Sequence, residues 1–193
     1  MTALTTLVTA LAAVLTLFAR APVAGTSSPP VAPAARPLTD REQVLAVAAG
    51  PVGTTAKTGN NDGEVVKYLT SVGLAKGDPY CAAFVYWCGQ QSLGKANPFP
   101  RSGYSPDMVR QPGWIKGRGP TPEPGDTFGI YFSSKGRVAH TGFVAGLKGN
   151  SIATIEANTS PQPAAGEADR NGDGVWRKIR PLSTIHSVKR WLP

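Results

Sequence analysis

Asp78-Pro79-Tyr80-Cys81-Ala82-Ala83-Phe84-Val85-Tyr86-Trp87-Cys88 reads as the opening of a buried helix with a cysteine near its start. Asp78 has the residue type of an N-cap and Pro79 suits the first helical position, which puts Cys81 at about the third. There a sulfur faces unpaired backbone N–H groups and the positive end of the helix dipole, which favours thiolate over thiol. Cys81 is therefore a candidate nucleophile. Cys88 follows on nearly the same helical face, about 10 Å further along the axis, too far for a disulfide within one helix. It reads as a packing residue.

A thiolate that attacks a carbonyl needs a base, and the base needs a partner that fixes its tautomer. The chain has two histidines. His140 sits in Arg137-Val138-Ala139-His140-Thr141-Gly142-Phe143-Val144, whose alternation predicts a strand with Val138, His140, Gly142 and Val144 on one face. Gly142 leaves room beside the imidazole. A Gly149-Asn150 turn then leads into Ser151-Ile152-Ala153-Thr154-Ile155-Glu156-Ala157-Asn158-Thr159, the expected hairpin partner. Glu156 and Asn158 project to one side, where either is placed to reach an imidazole on the neighbouring strand. His186 has no acid or amide in register and reads as a surface or packing residue.

Cysteine at a helix start, then histidine and an acid or amide on consecutive strands, is the chain order of papain-like cysteine hydrolases. Pro79-Tyr80-Cys81-Ala82-Ala83-Phe84-Val85, Pro124-Gly125-Asp126, His140-Thr141-Gly142 and Glu156-Ala157-Asn158-Thr159 resemble the CHAP family, the cysteine- and histidine-dependent amidohydrolases and peptidases that cut peptidoglycan. The resemblance runs from about Asn60 to the C-terminus. It implies Cys81 as nucleophile, His140 as general base, Glu156 as the group that orients the imidazole, and Asn158 as a supporting polar group. Tyr80 stands where many members carry Gln or Asn, so the backbone N–H of Cys81 is the oxyanion donor that can be identified. Tyr80, beside the nucleophile, and Trp114, in the Pro- and Gly-rich connection between Lys95 and Pro124, are expected to contact substrate.

The flanking segments predict an α+β fold with N-terminal helices packed on a C-terminal antiparallel sheet, which the resemblance implies is papain-like. Thr39-Asp40-Arg41-Glu42 is a capping box for a first helix reaching about Val47. Asn61 or Asp62 starts a second, with Val65, Val66, Leu69 and Val72 at helical spacing and Gly73 at its end. The Cys81 helix is the third, stopped by Gly94. Strands are expected at Thr127 to Phe132, around His140, around Glu156, at Gly174 to Arg180 and at His186 to Leu192, as a meander.

Residues 1–19 carry no charged side chain and are followed by Arg20 and Ala21-Pro22-Val23-Ala24-Gly25. Residues 1–24 read as a signal peptide cleaved near Ala21 or Ala24, or as a membrane anchor through residues 1–19. Residues 25–38 have linker composition, and 39–193 form the expected catalytic domain. The chain is thus expected outside the cytoplasm, secreted or in the cell envelope, and monomeric.

Of 193 residues, 41% are hydrophobic, enough for one core, and the formal net charge is +8. The basic residues are scattered among acids without interleaved aromatics, so nucleic-acid binding is not indicated. Asp169-Arg170-Asn171-Gly172-Asp173-Gly174 resembles the opening of a calcium loop, but Arg180 occupies the position where a bidentate Glu is needed. Neither a metal nor another cofactor is expected. The function implied is a peptidoglycan hydrolase, either an N-acetylmuramoyl-L-alanine amidase or an endopeptidase. The alternative is a non-catalytic wall-binding module of the same fold.

Overall fold

The computed structural model describes residues 36–111, 113–115, 117–161 and 172–193. The expected leader or anchor at 1–24, most of the expected linker at 25–38, and Asp169 to Asn171 of the calcium-like stretch lie outside the described residues. Pro37–Pro193 group as one unit, and no helix among the described residues is long and apolar enough to cross a membrane.

Helix α1 (Asp40–Ala49) begins as the capping box predicts: Thr39 N–H donates to Glu42 Oε2 at 2.8 Å and Glu42 N–H donates back to Thr39 Oγ1 at 3.3 Å. A 3-10 turn at Gly63–Val65 leads into α2 (Val66–Ser71), and α3 spans Cys81–Leu93. Gly94, at φ +57°, ends α3 in a conformation that only glycine adopts easily.

The start of α3 differs from expectation. Tyr80 occupies the N-cap, so Cys81 is the first helical residue rather than the third. The Asp78 carboxylate is committed elsewhere, accepting Ala75 N–H at 3.0 Å to close the preceding turn. Cys81 remains in the first turn, where the dipole argument applies.

The strands are β1 (Trp114–Ile115), β2 (Thr127–Phe132), β3 (Arg137–Lys148), β4 (Ser151–Thr159), β5 (Gly174–Pro181) and β6 (Ser187–Lys189). They form one sheet of six strands in the order β1-β6-β2-β3-β4-β5, every pair antiparallel. The meander holds through β5. The last strand then returns to pair with β2, and the two-residue β1 adds to its outer edge. From β5 to β6 is four ladder steps, about 19 Å on a flat sheet. The link between them contains a 3-10 turn at Leu182–Thr184 and is not extended, so the sheet coils to bring its ends together.

Alternation along the central strands divides the core. Phe143, Ile155 and Val175 join Val44, Leu69, Tyr80, Phe84 and Cys88 under the helices. Val144 and Ile152 join Trp114, Phe128, Ile185 and Val188 in a second cluster. This is the α+β architecture expected: helices on one side of an antiparallel sheet, with the start of α3 brought against the β3–β4 hairpin.

Candidate active site

Cys81 is 2% exposed and its Sγ lies 3.3 Å from Ser105 Oγ, a hydroxyl from the 3-10 turn Ser105–Val109. His140 and Glu156 are wholly buried. His140 stands two residues from Gly142 on β3, and Gly142 pairs with Glu156 on β4, so the imidazole and the carboxylate share a face and meet diagonally. His140 Nε2 is 2.8 Å from Glu156 Oε2. A Cβ at position 142 would come within 2.7 Å of the Ile155 carbonyl oxygen and 3.1 Å of Glu156 Cγ, so glycine is what lets the strands close here.

Glu156 holds Nε2 in its N–H form, which leaves Nδ1 as the basic nitrogen of the neutral ring. That Nδ1 is buried and finds no hydrogen-bond partner at ordinary distance among the described residues, which leaves it to the neighbouring Cys81 thiol. Burial pushes the Cys81 thiol up, but the adjacent His140 imidazole, with Ser105 and the Thr141 backbone, outweighs it and holds the thiol below its ordinary value. Burial pushes the His140 imidazolium down, and Cys81 and Glu156 together reverse this, raising it to about 9. The two shifts favour one state, thiolate beside imidazolium. Cys88 contrasts with this: burial alone raises its thiol well above the usual range.

Glu156 has more partners than its role toward His140 requires. Burial opposes its charge, and Arg180 and His140 overcome this and hold the carboxyl well below the usual carboxylate range. Arg180 Nε donates to Oε1 at 2.8 Å, an Arg180 terminal N–H donates to Oε2 at 2.5 Å, and Thr154 Oγ1 donates to Oε1 at 2.6 Å. A bidentate guanidinium fixes both the charge and the plane of the carboxylate. The sequence reading missed Arg180 and Thr154 as members of the site. A signal was present in Lys178-Ile179-Arg180, where charged residues occupy alternate positions of a strand, and the structure buries Lys178 and Arg180 while exposing Ile179. The arginine that disqualifies the calcium-like loop is the one that holds Glu156.

Asn158 is buried but does not hydrogen-bond to His140. A register irregularity between Ala157 and Thr159 puts it at φ +58°, and its Oδ1 accepts Asn61 Nδ2–H at 3.0 Å and Tyr80 N–H at 3.3 Å. Asn61 donates as well to the Asp78 carbonyl at 2.9 Å. Asn158 thus ties the turn in front of Cys81 to the end of β4. Asn61, expected only as a possible helix start, belongs to this anchor.

Neither expected substrate contact lines the Cys81 cavity. The Tyr80 side chain is fully buried, stacked on Tyr68 with ring centroids 5.8 Å apart, and faces the core. Trp114 is 7% exposed and lies in the second apolar cluster. It lines a cavity of about 710 Å³ with Tyr131 and His186, whose rings stack at 5.4 Å. Cys81 opens into a different cavity of about 350 Å³, walled by Leu74, Asp78, Tyr104, Ser105, Arg137 and Ala139. Among the described residues no group of three or more His, Cys, Asp or Glu side chains is arranged to hold a metal ion.

Residues 73–158 match the family model of the CHAP domain. Over that stretch the chain is similar to a CHAP domain. The matched segment starts ahead of α3 and ends at Asn158, so it contains Cys81, His140, Glu156 and Asn158, whereas Arg180 lies beyond it. No curated protein matches the chain. A CHAP domain implies activity of the cell-wall amidase or peptidase kind, and a thiol, an imidazole and a carboxylate in chain order suit acyl transfer.

Proposed function

We propose that this chain hydrolyses an amide bond of bacterial peptidoglycan through a covalent thioester on Cys81. The carrying observation is the buried His140 imidazole, held through Nε2 by Glu156 and lying beside a thiol whose ionisation it favours. The Cys81 thiolate attacks the carbonyl carbon, and the C=O electron pair moves onto oxygen. The Cys81 backbone N–H, at the first position of α3, is an oxyanion donor. As the intermediate collapses, the C–N bond breaks and the His140 imidazolium protonates the leaving amine. Neutral His140 then takes a proton from water, whose oxygen attacks the thioester, and the carboxylic acid leaves as the thiolate is restored.

Glu156 stabilises the imidazolium in both half-reactions, and Asn158 acts as a positioning residue for the nucleophile. The bond is either the muramoyl–L-alanine amide or a peptide bond of the stem or cross-bridge. The chain works outside the cytoplasm, secreted or in the envelope and without a cofactor, a reading supported by its apolar residues 1–19 and by where its substrate lies. It acts as a monomer on the wall.

Alkylation tests this reading. At pH 6 iodoacetamide is expected to modify Cys81 much faster than an ordinary thiol of pKa near 8.5, and His140→Ala is expected to remove that advantage. Ordinary reactivity in the wild type would favour the non-catalytic wall-binding reading.

A further inference from the structure

The wall of the Cys81 cavity carries a cation that forms no ion pair among the described residues. Arg137 opens β3, three residues before His140. Its guanidinium carbon lies 4.9 Å from the centre of the Tyr104 ring, and one terminal N–H donates to the Val138 carbonyl at 3.0 Å. Tyr104 is 48% exposed and lines the same cavity. An arginine laid on an aromatic face has lost much of its freedom while still presenting donors, which suits planar, bidentate recognition of a carboxylate. The cavity's carboxylate, Asp78, has one oxygen engaged by Ala75 N–H. Anionic groups of a ligand are therefore repelled from the Asp78 side and drawn to the Arg137 side.

Resting on the hydrolase reading above, we propose that Arg137 is a specificity-determining residue that binds a carboxylate of the peptidoglycan stem peptide. Three residues of strand span about 10 Å, so the carboxylate lies within about three peptide residues of the scissile bond. The site discriminates between stem peptides with free carboxylates and those in which the same group is amidated. An amide has the shape of the acid without its charge, so the charge-assisted bond is lost while the fit is kept.

The test uses two pairs of muropeptides. In one pair the α-carboxyl of the second-position D-glutamate is free or amidated; in the other the C-terminal carboxyl is free or amidated. Binding is measured calorimetrically on the full chain carrying Cys81→Ala, where no turnover intervenes, and KM and kcat are measured on protein with Cys81 intact. In at least one pair the acid is expected to bind about tenfold more tightly than the amide, with the difference appearing in KM. Arg137→Gln is expected to abolish that preference and Arg137→Lys to restore part of it. Equal binding of acid and amide in both pairs, absence of binding, or a preference that survives Arg137→Gln would overturn the proposal. Hydrolysis by the Cys81→Ala protein would instead overturn the hydrolase reading, so the two failures are distinguishable.

Discussion

Burial alone would strip His140 of its proton, and its two neighbours prevent this. The pairing sets a pH window. The His140 imidazolium is raised from 6.5 to about 9, so the stability it lends the fold is complete below about pH 6.5 and lost as pH rises through about 9. Glu156 is shifted the other way, so its contribution is present above about pH 4.5 and is lost as pH falls through its depressed native value. Cys81, held below its ordinary value, contributes with the opposite sign on the alkaline side and offsets part of the His140 loss, so the alkaline fall in the denaturation midpoint measured against pH should be shallow. In kcat/KM the alkaline limb is expected near pH 9, with the acid limb below the ordinary thiol value. Arg180 is the second test at this scale. Arg180→Met leaves the Glu156 carboxylate buried with one cation fewer and is expected to cost about 3–5 kcal/mol in a denaturant titration.

At the scale of elements, two close approaches decide how well α3 is aimed. A Cβ on Gly89 would collide with the Asn97 side chain and the Phe99 ring, so Gly89→Ala should destabilise the protein by about 1–3 kcal/mol in thermal denaturation. Asn158 holds the turn ahead of Cys81 from a left-handed backbone position. Asn158→Ala loses the hydrogen bonds from Asn61 and Tyr80 and adds strain, and is expected to be about 1 kcal/mol less stable than Asn158→Gly, which escapes the strain. The α1 cap and strands β2 to β5 are legible in the sequence because capping chemistry and period-2 alternation are local. The start of α3 is less so, since Asp78 looks like a cap and spends its carboxylate on Ala75. Cys81, His140 and Glu156 are legible from residue type and order. Arg180 is not, because a charge in an alternating strand reads as solvent-facing until the carboxylate it meets is known. The direction of Asn158 is hidden too, since alternation holds only where no irregularity interrupts the ladder.

Across the whole molecule, Asp126 gathers segments far apart in the chain. It is 1% exposed and accepts Arg41 Nη1–H from α1 at 3.0 Å, Arg190 Nε–H and Nη2–H from beyond β6, both at 3.1 Å, and Glu123 N–H at 3.0 Å. Arg41 also donates to the Leu192 carbonyl at 2.7 Å. This explains the Pro124-Gly125-Asp126 motif as a clasp for the fold rather than a part of the catalytic chemistry. Asp126→Ala leaves two guanidiniums without their shared carboxylate and is expected to cost about 3 kcal/mol in denaturant unfolding, while the alkylation rate of Cys81 in the folded protein stays unchanged. The central claim, that Cys81 cleaves a wall amide, is tested most directly by mass spectrometry of defined peptidoglycan fragments incubated with the wild-type chain and with Cys81→Ala. The account predicts fragments split at one amide by the wild type alone. Equal cleavage by both proteins, or intact fragments with a wild type that still binds the wall, would contradict it.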